Sequence, residues 1–316
     1  MQRSSYIRAT RAIAGYWLPS LLILSVIGCA PSISNTSEGR IAFSSNRDGF
    51  LAIYVMHADG SDVTRVTNKH QLAYEPAWSP DGTRLAFTVY HDRTSYGEIH
   101  VINADGSTPT RLTENTAGDG QPAWSPDGTQ LAFTSTRDGN SEIYVMNTDG
   151  SAPTRLTWHP GADADPAWSP DGTQLAFTST RDGNSEIYVM NTDGSAPTRL
   201  TRHPGADADP AWSPDGTRLA FTSTRDGEIN HLYIMQSDGT DVTRLTKSTV
   251  EHDYMPTWSP DGRMLAFHAL SMEFGRVGRR RGSVTAPFPS APLRTGLAPF
   301  DAPRLSSGSF RIALSC

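Results

Sequence analysis

Short apolar runs recur along the chain, each closed by a polar turn rich in Gly, Pro, Asp and Ser, and no stretch carries a helical period. The stretch 122–165 shows the unit. Residues 122–125 predict a short strand that stops at Pro126, which has no amide hydrogen to give a ladder. Pro126-Asp127-Gly128 is then a tight turn, with Pro presetting φ and Gly taking the left-handed position. Residues 130–134 (Gln-Leu-Ala-Phe-Thr) predict a second strand, and Arg137-Asp138-Gly139-Asn140 a hairpin turn. Residues 143–147 (Ile-Tyr-Val-Met-Asn) predict a third strand, Thr148-Asp149-Gly150 another turn, and 154–157 a fourth, outer strand. The strands are nearly continuous in apolar content rather than alternating, which predicts sheets covered on both faces.

The unit repeats. Trp-Ser-Pro-Asp-Gly occurs with its tryptophans at Trp78, Trp124, Trp168, Trp212 and Trp258, a spacing of 44 or 46 residues. The units 122–165 and 166–209 differ only where Trp158 stands against Arg202. Four-stranded units at this period, stacked radially, predict an all-β fold, a β-propeller of four-stranded antiparallel blades. The tryptophans end the inner strands and are expected to wedge between blades as core. Trp158 is the exception, an exposed contact candidate, because arginine serves in its place at 202.

The strings Pro-Ala-Trp-Ser-Pro-Asp-Gly, Leu-Ala-Phe-Thr-Ser, Arg-Asp-Gly-Asn, Glu-Ile-Tyr-Val-Met and Asp-Gly-Ser together resemble the WD-like repeat of TolB-type propellers. The resemblance covers 39–268 and implies six blades. The first unit, 39–67, carries only its second to fourth strands, so the last segment of the chain is expected to supply the missing inner strand and close the ring. The resemblance also implies an α/β domain ahead of the propeller, which the few residues between Cys29 and the first strand leave no room for.

Residues 1–28 carry Arg3, Arg8 and Arg11, then an apolar run from Leu18 to Ile27, which is the order of an export signal too short to span a membrane as a helix. Val26-Ile27-Gly28-Cys29 resembles the lipobox of bacterial lipoproteins, which implies lipidation of Cys29, a linker at 29–38, and a place on the periplasmic face of the outer membrane in a Gram-negative host. At the other end the pattern stops after His268, leaving the last blade incomplete. Residues 269–316 hold seven arginines and two acids, including the run Arg279-Arg280-Arg281. This tail reads as disordered, either a frameshifted end or a basic segment for an acidic partner or anionic lipid.

Charge narrows the function. The body, 30–268, has 17 basic and 31 acidic residues, a balance of −14, which excludes a nucleic-acid partner. Asp119, Asp163, Asp207 and Asp253 stand three residues before the proline of the inner strand, and Glu75, Asp165 and Asp209 one residue before it. Together they are expected either to cap their own loops or to form a partial ring at the channel mouth that attracts a cation or basic peptide. Asp138, Asn140 and Glu142, with their copies Asp182, Asn184 and Glu186, have the alternate-residue spacing of Ca²⁺ ligands but lack the distal bidentate Glu. His159 and His203 read as surface loop residues rather than Zn²⁺ ligands. No nucleophile elbow, phosphate loop or zinc motif is present, so no cofactor is expected. The expected function is a monomeric, non-catalytic envelope scaffold that binds a protein, peptide or glycan through a loop face. The alternative is a carbohydrate-active hydrolase or lyase with carboxylates on that face.

Overall fold

The computed structural model describes residues 39–68, 71–90, 96–249 and 251–271, and three further strands, Tyr6–Ile7, Ile23–Val26 and Gly308–Leu314. The third repeat gives an antiparallel sheet of Asp119–Trp124, Gln130–Ser135, Glu142–Asn147 and Thr154–Arg155, hydrogen-bonded in chain order. The repeats before and after it build the same sheet, with inner strands Leu72–Trp78, Asp163–Trp168 and Asp207–Trp212. Each inner strand touches the inner strands of its neighbours, so the sheets radiate from one axis.

The inner strand is longer than the pattern predicts. It starts at Asp119 rather than Pro122, because a bulge between Gly120 and Ala123 absorbs the proline that cannot donate to the ladder. The same register shift recurs in the inner strands of the other repeats.

Alternation along a strand sends neighbouring residues to two different blade interfaces. Ala132, Ile143 and Val145 meet Leu175, Phe177, Tyr188 and Met190 of the next blade. Leu131, Phe133, Tyr144 and Met146 instead meet Ala86, Ile99 and Val101 of the preceding one. Small side chains thus receive large ones at each junction, and each buried Phe contributes on the order of 1.5–3 kcal/mol. Tryptophan joins these seams with a hydrogen bond as well as area: the indole N–H of Trp124 donates to the Ala77 carbonyl at 3.1 Å, and Trp168 and Trp258 donate likewise to Ala123 and Ala211. Outer turns also key into the preceding blade. Gly150 has φ +85°, and a Cβ there would lie 2.7 Å from the Leu112 carbonyl oxygen.

The ends of the ring differ from expectation. Ile23–Val26 pairs with Arg40–Ser45 and holds the inner position of the first sheet, which the last segment of the chain was expected to fill. Within the tail expected to be disordered, Gly308–Leu314 pairs with Met264–Ser271 and carries Tyr6–Ile7 on its outer edge. Phe310, Ile312 and Leu314 alternate with polar or small residues, a period-two signal that the basic composition around them concealed. Ala266 of this last sheet packs against Ile41, Phe43, Tyr54 and Met56 of the first. Cys29 and residues 272–307 lie outside the described residues.

Candidate functional site

The residue before each inner-strand proline is forced into the left-handed region. Glu75, Gln121, Asp165, Asp209 and Met255 have φ between 50° and 55°. Such a conformation costs on the order of 1–3 kcal/mol for a non-glycine residue, and a proline afterwards makes it no easier. The bulge aims these side chains from the innermost strands toward the axis, where neighbouring blades meet.

There they form a chain of bonds around the ring. The backbone N–H of Gln121 donates to the Glu75 carboxylate at 2.9 Å, and Thr88 donates to the same oxygen at 2.8 Å. The Gln121 side-chain amide donates to the Asp165 carboxylate. Thr178 accepts the backbone N–H of Asp209 at 3.2 Å, and Asp209 in turn accepts Thr222 Oγ1 at 2.8 Å and the Met255 N–H at 3.3 Å. From the second blade to the sixth, one axial residue per blade thus ties consecutive blades together.

Three of the five axial residues are acids in a space that disfavours charge. Burial raises Glu75, and the Asp209 carboxylate raises it further. Burial and the nearby Asp209 push Asp165 up to about 8, while Asp209 is raised by burial. All three are thus raised, Asp165 well above the ordinary carboxylate range. All three remain half-buried rather than enclosed.

Asp119, Asp163 and Asp207 sit elsewhere. They open the inner strands, are at most 1% exposed, and pair within their own blade with Arg137, Arg181 and Arg225 at 2.9, 2.8 and 2.7 Å. Those arginines stack over Tyr144, Tyr188 and Tyr233 at 4.6 to 4.9 Å. Asp253 is buried at the equivalent place. The structure therefore separates two groups that the sequence reading joined: the residue three before the proline braces its hairpin, and the residue one before it faces the axis.

The residues with Ca²⁺-like spacing are joined to one another and to an arginine. Asp138 accepts the Tyr144 hydroxyl and pairs with Arg155 at 3.1 Å, while Glu142 pairs with the same guanidinium at 2.8 Å. Asn140 donates its amide to Glu142 and to the His159 carbonyl. Asp182, Asn184 and Glu186 repeat this arrangement around Arg199. A guanidinium thus bridges the two carboxylates in each twin repeat, and the asparagine amide donates to the second of them. Among the described residues no group of three or more His, Cys, Asp or Glu side chains is disposed to hold a metal ion. His159 accepts the Gly161 N–H through Nδ1 and His203 the Gly205 N–H, so both shape their loops. Trp158 is 74% exposed, with the Arg155 guanidinium 4.2 Å from its ring centre.

Radial four-stranded sheets with inner strands bonded around an axis define a β-propeller of the repeat-array kind. The TolB beta propeller domain family matches residues 66–165 and 159–283, well over half of the 316 residues, and the chain belongs to that family. Among curated relatives, a "Protein TolB homolog" of Chlorobium luteolum is 50% identical over 50 residues, covering 16% of this chain and 12% of the relative. The "Tol-Pal system protein TolB" of Desulfosudis oleivorans is 45% identical over 53 residues, 17% of this chain and 12% of the relative. The chain thus spans only about an eighth of the length of these relatives in the matched segment. A structure described as TolB from Agrobacterium tumefaciens superposes with a TM-score of 0.60 at 28% identity, over 70% of this chain and 83% of that one. TolB from Acinetobacter baumannii gives 0.63 at 20% identity, over 81% and 78%. An oligogalacturonate lyase in complex with manganese gives 0.53 at 14% identity, which reflects the fold alone.

Proposed function

We propose that the chain is a six-bladed, non-catalytic propeller of the cell envelope that captures a protein or peptide partner at the face where the inner strands begin. One observation carries this reading: Glu75, Asp165 and Asp209 converge on the axis, half-buried, and among the described residues no arginine or lysine pairs with them. A partner loop bringing positive charge or hydrogen-bond donors favours their ionised form and gains an ion pair there. Asp119, Asp163 and Asp207 support that surface by bracing its hairpins, and Trp158 stands exposed on the same face. Family membership and the Tol-Pal name of one relative support an envelope protein as the first partner class to try.

In this reading Cys29 carries the lipid anchor, and the monomer faces the periplasm of a Gram-negative host. Cleavage before Cys29 removes Ile23–Val26 and frees the edge of Arg40–Ser45 for another strand. Labelled palmitate entering the wild-type chain but not Cys29→Ser tests the anchor.

A carbohydrate-active hydrolase or lyase is the second reading, favoured by the raised Asp165 carboxyl, whose value near 8 suits a general acid. The double variant Asp165→Asn/Asp209→Asn distinguishes the two. Loss of in-cell cross-linking to an envelope protein, with no turnover of oligogalacturonate or envelope glycan by the wild type, supports capture. Turnover by the wild type that the double variant loses overturns it.

A further inference from the structure

The opposite face of the disk carries a second kind of site. There the Trp-Ser-Pro-Asp-Gly turns of adjacent blades lie side by side, and the slot over a tryptophan ring is filled in some blades and open in others. In two slots the protein fills this space itself. The guanidinium of Arg40 lies 4.9 Å from the ring centre of Trp78 and donates to the Gly82 carbonyl at 2.9 Å. The guanidinium of Arg84 lies 4.7 Å from the ring centre of Trp124. Both arginines open the second strand of the preceding blade, and both tryptophans are left only 7% exposed.

In the twin repeats the same strand-opening position is Gln130 and Gln174. Trp212, beside which Gln174 lies, and its twin Trp168 are half-buried rather than covered. Over Trp212 the slot is an open cleft bounded by Asp171, Gln174, Asp215, Gly216 and Asp238. Hydrogen bonds from Ser169 and Thr173 hold Asp171 below the usual carboxylate range, those from Ser213 and Thr217 do the same for Asp215, and those from Thr240 for Asp238. The rim is therefore anionic at neutral pH. Gly216 occupies the place of Gly82, whose carbonyl receives the internal guanidinium. In the following slot Arg218 lines the wall beside Trp258.

We propose that the cleft over Trp212 is a binding site for an arginine side chain presented by a partner peptide. The exogenous guanidinium stacks on the indole as Arg84 does on Trp124, faces the carboxylates of Asp171, Asp215 and Asp238, and donates to the Gly216 carbonyl. Planarity and a fork of donors suit arginine to this combination of ring, carboxylates and carbonyl better than lysine. The site lies at the turns where the inner strands end, on the face opposite the one where they begin, so it does not rest on the partner surface proposed above.

The test uses the full chain labelled with 5-fluorotryptophan, with the Trp212 resonance assigned from Trp212→Phe and N-acetyl-arginine amide as the probe. A saturable shift of the Trp212 signal is expected, with a Kd of roughly millimolar and at least about fivefold weaker response to the uncharged citrulline analogue. Gln174→Arg places the protein's own guanidinium in the slot and abolishes the shift. Arg84→Gln opens the slot over Trp124 and makes that signal respond. Both variants install residues that other blades already carry at this position. A Trp212 signal that does not move, that moves equally with citrulline, or that persists in Gln174→Arg overturns the proposal.

Discussion

The backbone amide of Gln121 donates to the carboxylate of Glu75 at 2.9 Å, although 46 residues separate them. The bond joins consecutive blades at the axis, and the carboxylate that accepts it is one of three acids brought together only by ring geometry.

That geometry makes stability depend on pH in a fixed direction. Glu75, Asp165 and Asp209 are raised by burial, so at these three groups the folded state binds more protons than the unfolded chain. Their stabilising contribution is complete below the ordinary carboxylate range and is lost as pH rises toward about 8, the value of Asp165. Asp165→Asn is expected to melt above the wild type at pH 9, with the gap shrinking to nothing near pH 4. Each kcal/mol relieved corresponds to roughly 2–4 °C. Thermal melts across that range check the sign.

Removing the partner of a buried carboxylate should be more costly than removing an exposed aromatic. Arg155 pairs with Glu142, whose side chain is fully enclosed. Arg155→Ala leaves that carboxylate unpaired and is expected to cost about 3–5 kcal/mol in urea unfolding. Trp158→Arg, which turns one twin repeat into the other, is expected to stay within about 0.5 kcal/mol.

The indole bond across the blade seam predicts a graded loss. Trp124→Phe keeps most of the area but removes the donor to Ala77 and weakens stacking with Arg84, an expected cost of about 1–2 kcal/mol. Trp124→Ala also opens a cavity and is expected to cost about 3–5 kcal/mol. Equilibrium denaturation of the pair separates bond from volume.

Gly194 has φ +83°, and a Cβ there would stand 2.5 Å from the Leu156 carbonyl oxygen. Gly194→Ala must move either its turn or the preceding blade and is expected to destabilise by more than about 1 kcal/mol. Gly183, with φ +101° but open space around it, should respond less to the same change, since only its backbone is strained. Comparing their unfolding midpoints tests whether the close approach or the dihedral dominates.

The sequence by itself determined the blade. Proline and Asp-Gly turns at fixed offsets, with apolar runs between them, are local signals, and Gln130–Ser135 and Glu142–Asn147 lie where they point. The repeat also disclosed the family, because a period survives any uncertainty about single strands. What the tertiary structure decided was which repeated acids converge. Asp163 and Asp165 are two residues apart and equally polar on paper, yet one is tied to Arg181 inside its blade and the other meets Asp209 from the next. The cause is a bulge at the strand proline, which reverses the path of one residue, and closure of the ring, which brings copies together across 44 residues of chain. The occupants of the tryptophan slots were likewise hidden, since Arg84 and Gln174 differ on the page by one letter and in space by whether a guanidinium covers the next blade's indole.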